Sequence, residues 1–152
     1  MLKPASLRAA IEAALPSVKA NPDKLLVFVE EGSIQCTGAP SLSFEYGYTL
    51  RVILLDYAEH ADTLLIPVLA WVSTNQPELL ANPDRRRDGI RFEAELLNHS
   101  TMDLELRITL TERVIVRKTE AGGYTATHAP EPPLDPYAGR NEAPWTLEIP
   151  AP

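Results

Sequence analysis

Residues 44–55 read Phe-Glu-Tyr-Gly-Tyr-Thr-Leu-Arg-Val-Ile-Leu-Leu, and this stretch decides the fold. From Phe44 to Val52 every even-numbered residue is apolar, and the residues between them are polar or glycine. A two-residue period is typical of a β-strand with one buried and one exposed face. The stretch therefore predicts a strand that lies on a core with its even-numbered side chains.

Two further runs in the second half of the chain alternate in the same way. Residues 90–98 and 102–118 carry most of their apolar side chains at even positions. The connection between them is short enough for a β-hairpin. The sequence therefore predicts that these two strands pair antiparallel.

The charged residues of this hairpin suggest its register. Since both strands bury even positions, only pairings that set even opposite even are allowed. One short-loop register would place Glu93 opposite Glu105 and Arg91 opposite Arg107, and like charges directly across a sheet are unfavourable. We therefore predict the alternative register, in which Glu93 lies opposite Arg107.

Helical spacing appears twice. Residues 4–15 form an amphipathic pattern with Pro4 in the first turn. Residues 62–72 form a second one, in which Pro67 predicts either a helix that begins close by or a kink. A short strand is expected at residues 25–31, with residues 34–37 as a candidate hairpin partner. This order indicates an α+β fold, with an antiparallel or mixed β-sheet covered by two helices.

Proline divides the chain of 152 residues into two parts. Of the 14 prolines, seven lie between Pro130 and Pro152. We predict an α+β structural domain at residues 1–128 and an extended, proline-rich C-terminal arm at residues 129–152.

The arm carries three apolar residues, Trp145, Leu147 and Ile149, although it cannot form a core of its own. A disordered tail and a strand added to a neighbouring subunit are both compatible with this composition. We favour the second interpretation and expect a homo-oligomer whose arms lie on neighbouring subunits.

Composition excludes several other classes of protein. The net charge of −7 argues against a general nucleic-acid binder. Cys36 is the single cysteine, so neither an intrachain disulfide nor a cysteine-based zinc cluster is possible. The first residues lack the apolar core of a signal peptide, and the longest apolar run is too short for a membrane span. We expect the cytoplasm, without membrane association.

Candidate chemistry is sparse. Asp56, Glu59 and His60 could bind a metal, or they could form a polar loop before a helix. Cys36 could be a nucleophile, although a small buried hydrophobe is the commoner role. No nucleotide-binding or hydrolase motif is present. We expect no catalytic, cofactor-binding or metal-binding residues and no enzyme activity.

The basic cluster consists of Arg85, Arg86 and Arg87, flanked by Asp84 and Asp88. It could be an exposed loop that pairs with an acidic partner surface, a solubilising loop, or a DNA contact. We favour the first of these. DNA contact is the least expected.

Several segments together resemble the R family of phage tail completion proteins (the GpR type of temperate contractile-tailed phages). They include residues 1–10, 21–29, 41–46, 80–83, 85–95, 110–114 and 130–133.

The resemblance implies a structural subunit that caps the head-proximal end of a contractile tail tube and presents the surface for head joining. A sixfold ring is expected, with tail tube, sheath and head–tail connector proteins as partners, in a phage, a prophage or a tail-like bacteriocin. Nucleic acid is expected only as DNA that passes through the lumen of the ring. The resemblance places the protein in the host cytoplasm during assembly and then at the head-proximal end of the virion tail. The alternative is a transient tail assembly factor or adaptor that is absent from the finished particle. The family supplies no catalytic residues.

Overall fold

The three predicted alternating strands belong to one antiparallel sheet. A computed structural model describes residues 1–36, 38, 40–97 and 100–132. Its five strands, in chain order, are β1 (Leu25–Cys36), β2 (Phe44–Tyr57), β3 (Ile90–Leu96), β4 (Met102–Lys118) and β5 (Tyr124–His128). The sheet order is β1-β2-β4-β3, and β5 also pairs with β4. Of the antiparallel and mixed alternatives, the described strands are all antiparallel.

Two longer helices cover the even-numbered face of the sheet. They are α1 (Lys3–Ala14) and α3 (Asp62–Asn75), and the indole Nε1 of Trp71 joins them by donating to Ser6 Oγ at 3.0 Å. Short helical turns are α2 (Pro16–Ala20), α4 (Glu78–Ala81) and α5 (Pro83–Arg86), with a 3₁₀ turn at Pro22–Lys24. The predicted α+β architecture is confirmed. Its core includes Leu7, Ile11, Leu50, Val52, Leu64, Val68, Leu104, Leu106 and Ile108.

The first strand differs from the prediction. Residues 25–36 form one strand, and residues 34–36 are not a hairpin partner of residues 25–31. The chain passes through an irregularity between Glu30 and Ser33, where Glu31 adopts φ 52°, and then resumes pairing with β2. One extra residue in a bulge therefore accounts for the break that the sequence suggested. Cys36, at the end of this strand, is exposed and not buried.

Two other differences concern α3 and residues 124–128. Helix α3 runs to Asn75 and keeps Pro67 in its interior. Residues 124–128, for which no strand was predicted, form β5 on the edge of β4. The regular structure therefore continues to the residue where the arm was predicted to begin.

The predicted hairpin register is wrong. The strands do pair with even opposite even, but Glu93 lies opposite Glu105 and Arg91 opposite Arg107. Strand β2, on the other side of β4, explains the difference, because its Arg51 donates to Glu105 at 2.7 Å. Arg107 Nε donates to the same carboxylate at 2.7 Å. These hydrogen bonds, that from Arg51 first, lower the pKa of Glu105 and offset the repulsion from Glu93.

The start of β3 helps to fix this register. The Gly89 N–H donates to the Arg85 carbonyl at 2.7 Å, and its carbonyl accepts from the Thr109 N–H at 2.9 Å. A Cβ at residue 89 would lie 2.6 Å from Leu79 Cδ2 and 2.7 Å from the Arg85 carbonyl oxygen. Glycine therefore allows α5 to approach the hairpin closely, and this contact places β3 along β4.

Candidate protein-interaction site

The three arginines lie on the last turn of α5 and just beyond it. All three are exposed, as predicted, although the segment is a helical turn and not a loop. Arg85 Nη1 contacts Glu78 Oε1 at 2.6 Å, so this arginine is partly neutralised by its own chain. Arg86 and Arg87 form no ion pair with any residue that the structure describes. Two of the three arginines are thus available to a partner.

The predicted arm contacts Trp145, Leu147 and Ile149 lie outside the described residues. The base of the arm, residues 129–132, is described. The Ala129 N–H donates to the Arg113 carbonyl at 2.9 Å, which continues the pairing of β5 with β4 by one residue. Glu131 then forms an ion pair with Lys3, with 2.8 Å between Nζ and Oε1. Ala129 and Glu131 are therefore held against β4 and α1.

Lys3 lies at the centre of a polar cluster that fills a gap in the sheet edge. Strands β3 and β5 both lie along the same side of β4, and neither pairs with Thr111. Lys3 Nζ donates to the Thr111 carbonyl and to Gln76 Oε1, each at 2.6 Å. Side-chain groups thereby satisfy a strand carbonyl that has no strand partner.

Gln76 completes the same gap. Its side chain is fully buried, and its Oε1 accepts from the Thr111 N–H at 3.1 Å. Its Nε2 donates to Thr111 Oγ1 at 3.0 Å and to Glu78 Oε1 at 2.9 Å. Because Glu78 also binds Arg85, this hydrogen-bond network connects the base of the arm to the arginine-bearing turn.

The neighbouring residue, Glu112, is a buried carboxylate on the core side of the sheet. It accepts from the Tyr48 hydroxyl at 2.5 Å and from the backbone N–H groups of Leu2 and Lys3 at 2.7 and 3.3 Å. Burial opposes its ionisation and is the largest single influence. Together, however, the hydrogen bonds outweigh burial, so the pKa of Glu112 is lowered. Burial first, and then the bond to Glu112, raises the pKa of Tyr48.

Sequence reasoning missed this cluster, although one signal for it was present. Position 112 is even, and in β4 the even positions face the core. A glutamate there, between Leu110 and Val114, requires buried hydrogen-bond donors. The identity of those donors depends on the tertiary fold, because Leu2 and Tyr48 are far from residue 112 in sequence.

Two open clefts flank the base of the arm. One, of about 330 Å³, is lined by Glu45, Glu78, Arg85, Arg113 and Pro130. The other, of about 420 Å³, is lined by Leu2, Asn75, His128 and Glu131. Both are open to solvent and carry charged side chains on their walls, which suits the docking of an extended protein segment better than the enclosure of a small ligand.

The residues considered for metal binding are separated into local pairs. Lys24 Nζ binds Asp56 Oδ2 at 2.8 Å, which, with a hydrogen bond from Thr101, lowers the pKa of Asp56. His60 Nδ1 lies 3.3 Å from Asp62 Oδ2. Within the part of the chain that the structure describes, no three His, Cys, Asp or Glu side chains are grouped so as to hold a metal ion. Among the same residues, no helix is long and apolar enough to cross a membrane.

An apolar surface lies where the helical layer ends. Strand β3 directs Phe92 and Leu96 to the core side of the sheet, yet these side chains are 62% and 75% exposed. Exposed apolar side chains grouped in this way are typical of a protein interface.

Comparison with known proteins agrees with these features. The family model described as P2 phage tail completion protein R (GpR) matches residues 1–132. Tail completion protein R of Escherichia phage P2 is 41% identical over 136 residues, which cover 90% of this chain and 88% of that protein. No solved structure matches. The chain therefore belongs to the P2 phage tail completion protein R family, a family of structural tail proteins.

Proposed function

We propose that this protein caps the head-proximal end of a contractile tail tube as a ring of identical subunits and presents the surface to which the head is joined. The observation that carries the proposal is the family match over residues 1–132, together with the 41% identity to Tail completion protein R of Escherichia phage P2. The described surface supports a role in assembly over one in catalysis, since it offers apolar and arginine-bearing patches.

A ring subunit needs one surface for its neighbours and another for its axial partners. The exposed side of β3 and the base of the arm suit the first role. Arg86 and Arg87 suit the second, because they are exposed cations without an ion pair among the described residues, on a chain with a net charge of −7. Their expected partner is an acidic patch on a tail tube, sheath or connector protein.

Particles that lack this protein provide the test. Without it, we expect tails of uncontrolled length, or complete tails that fail to bind heads, in negative-stain electron micrographs. Wild-type particles should carry the protein at one tail end, detected by mass spectrometry of purified tails and by antibody labelling. Normal head joining in its absence would contradict the proposal.

The same experiment separates the transient-factor alternative. A protein that is required for joining, but absent from purified particles, would be an assembly factor and not a cap.

A further inference from the structure

Strand β3 has an open edge. Within the described part of the chain it pairs with β4 alone, and no bulge or proline interrupts residues 90–96. An uninterrupted edge of this kind is a template for an added strand. Since Phe92 and Leu96 are also uncovered, an added strand could bury apolar side chains as well as pair its backbone.

The open backbone groups belong to the apolar residues. The Gly89 carbonyl accepts from the Thr109 N–H, and the Leu97 N–H donates to the Thr101 carbonyl, so odd-numbered residues direct their backbone groups toward β4. In an antiparallel pair these groups alternate along the strand. The N–H and C=O groups of Ile90, Phe92 and Ala94 therefore face the open edge. In a strand that pairs there, the residues opposite Ile90, Phe92 and Ala94 must have both a backbone N–H group and an apolar side chain.

The arm sequence meets both requirements. Its apolar residues Trp145, Leu147 and Ile149 are odd-numbered, whereas Pro144 and Pro150 are even-numbered. Proline cannot donate to a ladder and is tolerated at positions that face away from the neighbouring strand. If the odd residues pair with β3, every required donor is present and every apolar side chain lies on the apolar face.

We propose that residues 144–150 of one subunit add as an antiparallel strand to β3 of a second copy, with Leu147 opposite Phe92. This inference deepens the proposed ring function, on which it rests. In this register Glu148 lies opposite Arg91, and Trp145 lies opposite the small Ala94. A slip of two residues in one direction sets Glu148 opposite Glu93, which is unfavourable.

The free edges of β5 and β1 are poorer acceptors. Strand β5 has only five residues, two fewer than β3, and short edge strands pair less readily. Strand β1 is interrupted at Glu31, and Arg8 Nη1 already binds the Leu25 carbonyl at 3.0 Å. Bulges and occupied backbone groups protect an edge from pairing.

The arm is long enough to reach a second subunit. Trp145 lies 13 residues beyond Pro132, a separation of about 40 Å when the chain is extended. Because the arm and β3 are different surfaces, the contact is head-to-tail, the type of interface that closes into a ring.

Disulfide trapping tests the register between subunits. On a Cys36→Ser background, one chain carries Glu93→Cys and a second carries Thr146→Cys, co-expressed with the other tail proteins. These positions would form a non-hydrogen-bonded pair with Cα atoms about 4.5 Å apart, within reach of a disulfide. A two-chain band is expected on non-reducing gels of the soluble and tail fractions.

The matched control pairs Glu95→Cys with Thr146→Cys. Its diagonal separation of about 7–8 Å exceeds disulfide reach, so its band should be at least about tenfold weaker. Leu147→Asp should reduce the oligomer by about tenfold or more, whereas Ala151→Asp, just beyond the paired residues, should not.

Equal bands from the two cysteine pairs, or no band in either fraction, would overturn the inference. If tails still carry the protein and join heads without the cross-link, the pairing is wrong and the proposed function stands. If the cross-link forms but the protein is never found on tails, the pairing stands and the proposed function fails.

Discussion

Glu112 accepts a hydrogen bond from the hydroxyl of Tyr48 at 2.5 Å, on the face of the sheet that is otherwise packed with apolar side chains. The same carboxylate accepts the backbone N–H of Leu2, so it holds the first residues of the chain against β4. A buried carboxylate with several donors stabilises a fold only while it is ionised.

Stability should therefore fall in acid through Glu112. Its pKa in the folded protein lies below the unfolded value of about 4.3. Its contribution is thus complete above that value and is lost as the pH falls through the folded pKa. Glu112→Gln should cost about 1–3 kcal/mol at neutral pH and flatten the acid limb of the stability curve, measured by urea unfolding from pH 7 to 3.

Glu120→Gln is the matched control, since Glu120 is exposed in a turn. It should leave both the midpoint and the pH dependence unchanged. An acid limb that is as steep in Glu112→Gln as in the wild type would contradict the assignment.

Two truncations should separate the base of the arm from the arm itself. A chain that ends at Pro132 keeps the Lys3–Glu131 ion pair and should unfold like the full protein, but should not form the oligomer. A chain that ends at His128 also loses Glu131 and should be less stable by about 1 kcal/mol, because a partly buried charge partner is removed. Thermal unfolding and native mass spectrometry give the two readouts.

Removal of residues 133–152 should thus reduce assembly without reducing stability, whereas removal of residues 129–152 should reduce both. Assembly of the chain that ends at Pro132 at the wild-type concentration would show that residues 133–152 are dispensable for it.

Arg86→Ala with Arg87→Ala should reduce head joining and leave the fold intact. Neither side chain has an ion pair among the described residues, so their loss should change the free energy of unfolding by less than about 0.5 kcal/mol. Joining should become less dependent on salt, because exposed charges act mainly through the rate of association.

Arg117→Ala with Lys118→Ala removes the same charge from exposed residues at the end of β4. This control should join heads normally. Equal losses in both double variants would mean that net charge, and not the position of the arginines, matters.

Glu93→Lys should stabilise the protein. It replaces a like-charge pair with Glu105 directly across the hairpin by an opposite-charge pair. The expected gain is about 0.5 kcal/mol, because Arg51 and Arg107 already bind Glu105 and the site is exposed to salt. Urea unfolding at low and high salt measures it.

Glu120→Lys makes the same charge change away from the sheet and should have no effect beyond about 0.2 kcal/mol. A loss of stability in Glu93→Lys would indicate that its interaction with Arg107 outweighs the repulsion from Glu105.

The sequence predicted the strands in which apolar residues alternate strongly. It did not predict features that depend on contacts with a third strand or with distant residues. Alternation located β2, β3 and β4 and the buried side of β2 and β4, because burial sets that pattern. The even-numbered side chains of β3 were expected to be buried, but Phe92 and Leu96 are exposed. The predicted register of β3 was wrong because Arg51, on a third strand, binds Glu105 and offsets its repulsion from Glu93. Strand β5 was missed because Tyr124–His128 is exposed for most of its length and lacks an apolar period.

For the candidate site, the exposure of the arginines was foreseen from their composition. The cluster of Lys3, Gln76 and Glu112 was not, because its members come from three elements that only the folded chain brings together. The arm residues Trp145, Leu147 and Ile149 remain a prediction.

The ion pair between Lys3 and Glu131 joins residues 128 positions apart. On the ribosome, Lys3 emerges among the first residues and has no partner until β4 and then residue 131 have been synthesised. Synthesis therefore imposes an order in time: the strands of the sheet exist before this ion pair can form, so the pair completes the fold and cannot begin it.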